Sequence, residues 1–301
     1  GSVEFAYQFR NDSSNTGFAS DYMVVSPALV RGEGLPYTTM LQRIRGVSGN
    51  NGTTNTLGGG SETYMVPSSS MDMAEFSKMI VEEQYDSASS DSSQTFSAYD
   101  LSKVKALKTA IDTFAKSIDT SSEETDFEAI RGTTWNTNTA MNYIQSSSNT
   151  YWAYYPFFDI YDLMRAVESS SSFSATIKTN ATAVQTALAN VILSSFGGTD
   201  YYNANNATKV YFSNNKNGMH IVFPRLYISG TTYSLSYLYW YTPVDIASYL
   251  SSTNYLYGKL SFCDGGTSSN SQVENWFEMI DKWYDNTGTS LGVKGYNGYH
   301  Y

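Results

Sequence analysis

The order of secondary-structure signals in the first 45 residues constrains the fold more than any other feature of the sequence. Residues 3–9 carry apolar side chains at the spacing of a short helix with one buried face. Residues 22–25 form a β-favouring run that ends at Ser26-Pro27. Residues 37–44 have helical spacing, and the preceding Pro36 suits a first helical turn because its missing N–H costs nothing there. Helix, strand, loop and helix in this order predict a layered α/β domain.

The first predicted helix begins abruptly, since only Gly1 and Ser2 precede it. We expect neither residue to cap or seed the helix, because such a pair is the kind of remnant that cloning or the loss of a segment leaves. The chain is therefore expected to begin inside a domain. On this interpretation residues 1–37 form the second half of an active site, and the reacting groups lie upstream of them.

From residue 71 to residue 193 the chain is predicted to be mostly helical. The clearest pattern follows a short strand at residues 96–101, because apolar side chains recur at helical spacing from Leu101 to Phe114. Either Asp100 or Ser102 suits the N-cap of that helix. The other helices are expected at residues 71–85, 126–130, 139–145, 157–168, 174–193 and 275–284.

Glycine- and asparagine-rich segments mark the breaks in this pattern. Residues 46–60 contain almost no apolar side chain and are expected to form a mobile surface loop. After Gly197-Gly198 the pattern changes from helices to strands. Residues 209–212 and 218–224 are β-favouring runs on either side of an Asn-rich turn, and they predict a hairpin.

Composition limits the classes of function. At 301 residues the chain exceeds the roughly 100–200 residues of one domain, so one large or two modest domains are expected. A net charge of −10 argues against nucleic-acid binding, which draws on Lys and Arg, and favours cationic ligands. Only 15% of the residues are charged, and Ser, Thr, Asn and 26 Tyr supply the polar surface, as in secreted or surface proteins of bacteria. No apolar run reaches the roughly 20 residues that span a bilayer.

The sequence alone offers no complete catalytic constellation. Cys263 is the only cysteine, which excludes an internal disulfide and a cysteine-built zinc site. Its thiol would act as a nucleophile only with a histidine beside it, and we expect a buried or loop cysteine instead. His220 alternates with apolar neighbours and is expected to be a partly exposed strand residue. His300 lies in a tail that is expected to be disordered.

Two acidic patterns have two interpretations each. Asp159 and Asp162 lie three residues apart on one predicted helix face. They suit an acid/base or calcium pair, but a solvated face or a helix N-terminal charge is favoured. Gly32-Glu33-Gly34 is too short for a phosphate loop and predicts a tight turn from which Glu33 projects. This turn is either a plain surface turn or an acidic specificity determinant beside a strand end.

Several segments, in one order along the chain, resemble the clostripain-like cysteine peptidases. Three of them match the family patterns Val-Glu-x-Ala-Tyr, Asp-Tyr-x-Val-x-Ser and Gly-Asp-Gly-Trp-x-Tyr, which follow the nucleophilic cysteine there. In this chain they are Val3-Glu4-Phe5-Ala6-Tyr7, Asp21-Tyr22-Met23-Val24-Val25-Ser26 and Gly32-Glu33-Gly34-Leu35-Pro36-Tyr37. The later matches are Ser97-Ala98-Tyr99-Asp100-Leu101-Ser102, Phe158-Asp159-Ile160-Tyr161-Asp162-Leu163, Gly218-Met219-His220-Ile221-Val222-Phe223-Pro224 and the tryptophan helix at residues 276–283.

The resemblance implies the fold class α/β: part of a caspase-like α/β/α sandwich, followed by a mainly helical C-terminal domain with β-hairpins. Residues 1–102 would form the C-terminal half of the peptidase domain, and residues 103–301 the helical domain. The implied chemistry is acyl transfer by a Cys–His dyad that cleaves after Arg or Lys, with self-cleavage into a light and a heavy chain. Both catalytic residues would lie N-terminal to this chain, so none is assigned within it.

By the same resemblance the substrate-binding residues are Val25, Ser26 and Glu33. Val25 and Ser26 would occupy the strand end beside the nucleophile. Glu33 stands where the family usually has Asp, which preserves a negative charge for a basic P1 residue. The chain departs from the family pattern at Pro27-Ala28, which replace an acidic pair, and at Leu35, which replaces a tryptophan.

The implied partners are an N-terminal light chain of the same precursor and a basic peptide or protein substrate, in a secreted, cell-surface or periplasmic bacterial protein. No cofactor is assigned: calcium dependence occurs in the family, but no loop here shows an EF-hand pattern. The alternative is a non-catalytic secreted protein that binds glycans or proteins. Trp135, Trp152 and Trp240 would then supply stacking platforms.

Overall fold

The computed structural model describes residues 1–15, 17–28, 34–45, 54–57, 60–63, 71–88, 94–118, 121–131, 140–143, 157–203, 208–212, 215–223, 257, 260–266 and 272–280. The described helices are α1 (Val3–Gln8), α2 (Tyr37–Arg45), α3 (Met73–Ala88), α4 (Val104–Lys116), α5 (Ser121–Arg131), α6 (Ile160–Ser169) and α7 (Ala175–Val191). The described strands are β1 (Tyr22–Val25), β2 (Thr54–Leu57), β3 (Gly60–Thr63), β4 (Thr95–Asp100), β5 (Phe157–Asp159), β6 (Ile192–Asn203), β7 (Thr208–Phe212) and β8 (His220–Val222). Short 3₁₀ helices cover Leu101–Lys103 and Ser261–Gly266, and residues 276–280 are helical.

A four-stranded antiparallel sheet with the order β1-β4-β6-β7 lies at the centre of the described structure. β4 pairs with β1 through the partners Met23 and Tyr99, and with β6 through Phe96 and Phe196. Five of the six residues of β4 are buried, which is why this strand has a nearly continuous run of small and apolar side chains.

Side chains alternate along β4 and divide the core into two layers. Phe96 and Ala98 belong to a cluster with Val81 of α3 on one face of the sheet. Tyr99 belongs to a larger cluster on the other face, which also contains apolar residues of α1, α4, α6 and α7. Helices on both faces of a sheet make an α/β/α sandwich, so the predicted fold class is confirmed.

Helices α4, α6 and α7 form what we call the helical layer, in which α7 packs against both α4 and α6. Each helix buries apolar side chains that recur every three or four residues. In α7 these are Ile177, Ala181, Val184, Leu188 and Val191. In α4 they include Val104, Leu107, Ile111 and Phe114, which are the residues that the sequence pattern predicts to be buried.

Local signals also predict where several elements begin. β1 covers the four residues expected for it. The carboxylate of Asp100 accepts a hydrogen bond from the Ser102 N–H at 2.9 Å and caps the 3₁₀ helix that leads into α4, as one of the two cap candidates predicts. Ser174 caps α7 by accepting a hydrogen bond from the Ile177 N–H at 3.3 Å.

Two helix predictions were wrong because strand pairing overrides them. Residues 157–168 begin as strand β5, which pairs antiparallel with β8, and α6 begins only at Ile160. In the predicted helix at residues 139–145, the described residues 140–143 are not helical, since Asn142 forms a β-bridge with Phe158. Both segments border a second, two-stranded sheet that joins β5 to a strand about 60 positions further along the chain.

Two predictions about hairpins and loops were also wrong. β7 pairs with β6 and β8 pairs with β5, so residues 209–212 and 218–224 do not form a hairpin with each other. β6 and β7 form the hairpin instead. The segment expected to be a mobile loop contains strand β2, which pairs with β3.

The division of the chain after residue 102 stays a prediction. Strands and helices from both sides of that position share the central sheet and the larger core cluster. The described part of the predicted helix 275–284 is helical at residues 276–280. Among the described residues, no helix is both long enough and apolar enough to cross a membrane.

Candidate functional site

The start of the chain lies against the end of β1. The Gly1 nitrogen donates a hydrogen bond to the carbonyl oxygen of Ser26, and the Gly1 carbonyl accepts one from the His220 N–H at 3.2 Å. Ser2 forms a parallel β-bridge with His220. A side chain at Gly1 would overlap with Val25, so this contact requires the smallest residue.

Helix α1 is capped after all. The Ser2 hydroxyl accepts a hydrogen bond from the Phe5 N–H at 3.1 Å, and Ser2 has the extended backbone of an N-cap. The expectation that nothing before Val3 could cap this helix was therefore wrong.

Of the predicted substrate-binding residues, Val25 is the last residue of β1 and Ser26 begins the turn that follows it. Val25 pairs with Ser97 in the sheet and packs against the larger core cluster. The Ser26 hydroxyl accepts a hydrogen bond from the Ala28 N–H at 3.1 Å, which closes the turn. Glu33 lies outside the described residues.

His220 is buried, so the prediction of a partly exposed strand residue was wrong. Its ring packs against Phe157 and Tyr143, with ring centroids 4.7 and 5.9 Å away. Its Nδ1 atom lies 3.0 Å from the carbonyl oxygen of Pro27. Burial lowers the pKa of His220 well below its usual value, so the ring is neutral near pH 7.

Gly218 lies at the centre of the hydrogen bonds that hold this region together. Its carbonyl oxygen accepts hydrogen bonds from the Tyr99 hydroxyl and, at 2.9 Å, from the Ser97 hydroxyl. The Tyr99 hydroxyl also lies 3.2 Å from the Gly1 carbonyl oxygen. Gly218 has a φ of +115°, and a side chain there would overlap with Ser97 and Ser195. Only glycine adopts this positive φ without strain and also leaves room for Ser97 and Ser195.

Asp159 holds the segment that contains Gly218. Its carboxylate is fully buried and accepts hydrogen bonds from the Tyr143 hydroxyl (2.6 Å), the Asn217 side chain (2.8 Å) and the Gly218 N–H (2.9 Å). It also caps α6 by accepting from the Asp162 N–H at 3.0 Å. Burial raises the pKa of Asp159 to about 6, and the donors offset part of that increase.

Asp162 is buried as well, in the first turn of α6. It accepts a hydrogen bond from the Met141 N–H at 2.6 Å and pairs with Arg165 at 2.6 Å. The favoured interpretation of the two carboxylates is therefore half right: both act at a helix N-terminus, but neither lies on a solvated face.

We call this region the junction; it comprises Gly1–Ser2, Val25–Pro27, Ser97–Tyr99, Asp159 and Asn217–His220. Sequence reasoning did not single out Tyr99 or Gly218. The available signal was a glycine at the end of an Asn-rich turn, just before a strand. Nothing local to either residue indicated that the two would meet.

Glu4 connects α1 to β8. It is buried, and its Oε1 atom accepts hydrogen bonds from the Val222 N–H at 2.9 Å and the Tyr257 hydroxyl at 2.8 Å. Burial raises the pKa of Glu4. This carboxylate therefore fixes the first helix to the strand that carries His220.

Cys263 is buried in the 3₁₀ helix Ser261–Gly266, as expected for a structural cysteine. Burial raises the pKa of its thiol well above the usual value, and the charge of Glu4 raises it further. Lys108 offsets this only in part, since its ammonium group is paired with Asp112 at 2.6 Å and Asp264 at 3.0 Å. A thiol in this environment stays protonated near pH 7 and is a poor nucleophile.

The junction offers hydrogen-bonding groups that shape a surface, and its one histidine ring is already bonded to a backbone carbonyl. Within the described ranges, no group of three His, Cys, Asp or Glu side chains could hold a metal ion. The residues proposed as glycan platforms, Trp135, Trp152 and Trp240, lie outside the described residues, as does His300. The arrangement is a mostly buried hydrogen-bond network beside the end of β1.

Comparison with known proteins shows which protein family the sequence matches. The sequence profile of the clostripain family, Peptidase_C11, matches residues 1–286. Clostripain of Hathewaya histolytica is 33% identical over 311 residues, covering 100% of this chain and 56% of clostripain. The chain thus spans little more than half the length of this curated relative.

Two solved structures are more distantly similar. A cysteine protease of B. fragilis has a TM-score of 0.42 and 13% identity over 74% of each chain. An inactive zymogen of a C11 protease from Parabacteroides distasonis has a TM-score of 0.39 and 14% identity, over 73% of this chain and 49% of that one. Because both TM-scores lie below 0.5, the architecture given above rests on the strands and helices of this chain alone.

Proposed function

Because the chain belongs to the clostripain family of cysteine peptidases, we propose that it is a portion of an endopeptidase that cleaves peptide bonds after Arg and, in some substrates, after Lys. The family match over residues 1–286 carries this proposal. It favours a peptidase over the alternative, a non-catalytic protein that binds glycans or proteins. Basic substrates also suit a chain with a net charge of −10.

The proposed substrate wall is the end of β1 and the turn after it, with Val25 and Ser26 beside the scissile bond and Glu33 facing a basic P1 side chain. The support from the described residues is positional. Ser26 is fixed by the Gly1 nitrogen and by its own bond to the Ala28 N–H. A turn held at both ends costs little entropy when a substrate binds against it.

The proposed catalytic cysteine and histidine come from a part of the enzyme that precedes this sequence. Support comes from Cys263, the only cysteine here, whose burial keeps the thiol protonated. Among the described residues no hydrogen bond joins Cys263 to His220, and the His220 ring is bonded to Pro27. The nucleophile of a cysteine peptidase is a thiolate that has a histidine beside it, and among the described residues Cys263 meets neither condition.

The proposed partner is an N-terminal light chain cut from the same precursor. Within the described sheet, β1 is an edge strand and pairs with β4 alone. An edge strand is a place where another chain can add a strand. We expect the light chain to copurify with residues 1–301, and mass spectrometry of the folded material to find both. A stable monomer of these 301 residues alone would contradict this proposal.

The proposed activity is tested on the complete two-chain protein with fluorogenic Arg and Lys peptides. We expect hydrolysis after Arg, weaker hydrolysis after Lys, and loss of both on treatment with a thiol alkylator. A Cys263→Ser variant is the matched control: it should retain hydrolysis and its sensitivity to the alkylator. Lack of hydrolysis by the complete protein would favour the non-catalytic alternative, and loss of activity in a folded Cys263→Ser variant would place the nucleophile within this chain.

Secretion and calcium dependence are further parts of the proposal. Among the described residues no group of three His, Cys, Asp or Glu side chains could hold a metal ion, and no step is assigned to calcium. Titration of the complete enzyme with a calcium chelator tests the dependence directly: unchanged hydrolysis would remove calcium from the proposal. Recovery of the processed enzyme from culture medium tests secretion.

A further inference from the structure

His220 contacts the proposed substrate wall from a position 193 residues away in the sequence. Its Nδ1 atom lies 3.0 Å from the carbonyl oxygen of Pro27, the residue directly after Ser26. A carbonyl oxygen only accepts hydrogen bonds, so the ring nitrogen must be the donor. We propose that His220 is a positioning residue for substrate selectivity, which fixes the turn Ser26-Pro27-Ala28 by donating this hydrogen bond. The inference rests on the proposed function.

The histidine itself has little freedom to move. Its ring packs against Phe157 and Tyr143, and its backbone is paired with Asp159 in the second sheet. Its N–H donates a hydrogen bond to the Gly1 carbonyl. A donor that is held on this many sides keeps its direction, so the position of the Pro27 carbonyl follows the position of the ring.

The turn depends on the His220 donor because the hydrogen-bonding groups of Ser26 and the Ala28 N–H already have other partners. The Ser26 carbonyl accepts from the Gly1 nitrogen, and the Ser26 hydroxyl accepts from the Ala28 N–H. Pro27 has no N–H to donate, and its ring restricts the backbone of Ser26. Ala28 packs against a small core cluster, and the Pro27 carbonyl is held by His220. Loss of the bond would let the turn shift without unfolding β1.

Loss of the hydrogen bond between His220 and Pro27 should affect the binding of the P1 side chain more than the chemical step. Val25 and Ser26 precede Pro27 directly, so a shift of the turn displaces the proposed wall and leaves the reacting groups in place. Geometric losses of this kind raise KM and change the preference between substrates that differ in shape. Arg and Lys peptides differ in this way, because the guanidinium is planar and the ammonium is compact.

Two variants of the complete enzyme test the role of the donor. His220→Phe keeps an aromatic ring against Phe157 and Tyr143 but lacks the donor, whereas His220→Asn keeps a nitrogen donor near the place of Nδ1. We expect His220→Phe to raise KM for the Arg peptide roughly 3- to 10-fold, the effect of one lost hydrogen bond, with kcat changed less than about twofold. The ratio of kcat/KM for the Arg and Lys peptides should shift as well.

We expect His220→Asn to stay within about twofold of the wild type in both quantities. Unchanged KM and selectivity in His220→Phe would overturn the proposal, and so would an Asn variant as impaired as the Phe variant. A wild-type enzyme that hydrolyses neither peptide would instead refute the proposed function, which separates the two failures.

Nitrogen-15 NMR of the complete enzyme tests the contact without any measurement of activity. The signals of His220 are those that the His220→Phe variant lacks. We expect a neutral ring with the proton on Nδ1 and slow exchange of that proton with water, because it is buried and bonded. A proton on Nε2 with a bare Nδ1 would overturn the proposal, since such a ring has no donor for Pro27.

Discussion

The helical layer and the junction are both buried, yet different forces stabilise them. In the helical layer the contacts are apolar and repeat along each helix, as in the five buried residues of α7. In the junction, buried polar groups from five separate segments satisfy one another, with Asp159 and Gly218 each holding several partners. An apolar contact that is lost leaves a cavity, whereas a polar partner that is lost leaves other buried groups unpaired.

The N-cap residues of α6 and α7 differ in the same way, although both have the same structural role. Ser174 caps α7 with one local hydrogen bond to the Ile177 N–H. Asp159 caps α6 in the same way but also accepts from Tyr143, Asn217 and Gly218. A cap that joins distant segments is part of the tertiary structure, and its removal should cost more than the removal of a cap that serves its own helix.

The largest effect is expected for Asp159→Ala. The change removes the acceptor of three distant donors and one helix cap, so we expect a loss on the order of 4 kcal/mol in the free energy of unfolding. Urea denaturation measures it. Asp21→Ala is the control, because Asp21 is exposed and accepts from the Asn11 side chain at the surface; it should cost less than about 1 kcal/mol.

The next largest effect is expected in the helical layer for Leu188→Ala, at about 3 kcal/mol, because the cavity adds to the lost burial of the side chain. Thr186→Ala on the exposed side of the same helix should change stability by less than about 0.5 kcal/mol. If Leu188→Ala costs clearly more than Asp159→Ala in the same denaturation assay, the polar junction is not the more sensitive of the two regions.

The titration of Asp159 gives a third prediction. Burial raises its pKa from 3.8 to about 6 in the folded protein, so the folded state binds a proton that the unfolded state releases between these values. The stability of the wild type relative to Asp159→Asn should therefore fall by roughly 2–3 kcal/mol as the pH rises from 4 to 7. Urea midpoints of both proteins at pH 4, 5, 6 and 7 test this. If the stability of the wild type relative to Asp159→Asn rises with pH instead, the hydrogen-bond donors lower the pKa of Asp159 by more than burial raises it.

The smallest effect is expected for Ser174→Ala, at about 1 kcal/mol, since one local hydrogen bond is lost at the start of α7. Ser174→Asp should restore most of the stability, because Asp is an equally good N-cap. Thermal unfolding followed by circular dichroism compares the three proteins. A cost equal to that of Asp159→Ala would erase the distinction between local and long-range caps.

Much of the fold could be predicted from the sequence where a pattern repeats over one element. The buried face of α4, the position of β1 and the cap at Asp100 follow from the spacing and chemistry of neighbouring residues. The prediction failed at residues 157–159, where helical spacing gave way to pairing with β8. The candidate site was located by resemblance at Val25 and Ser26, but nothing in the sequence indicated that His220 or Tyr99 would lie beside them.

The sequence by itself determined which segments form helices with one apolar face, because helical periodicity is a local property that neighbouring residues express together. Only the tertiary structure decided the partners of β7 and β8, the burial of His220 and the three hydrogen bonds that Asp159 accepts from Tyr143, Asn217 and Gly218. These depend on residues that are far apart along the chain and meet only when the sheet has formed. A buried polar group therefore acquires its role from distant partners, which its own local pattern does not specify.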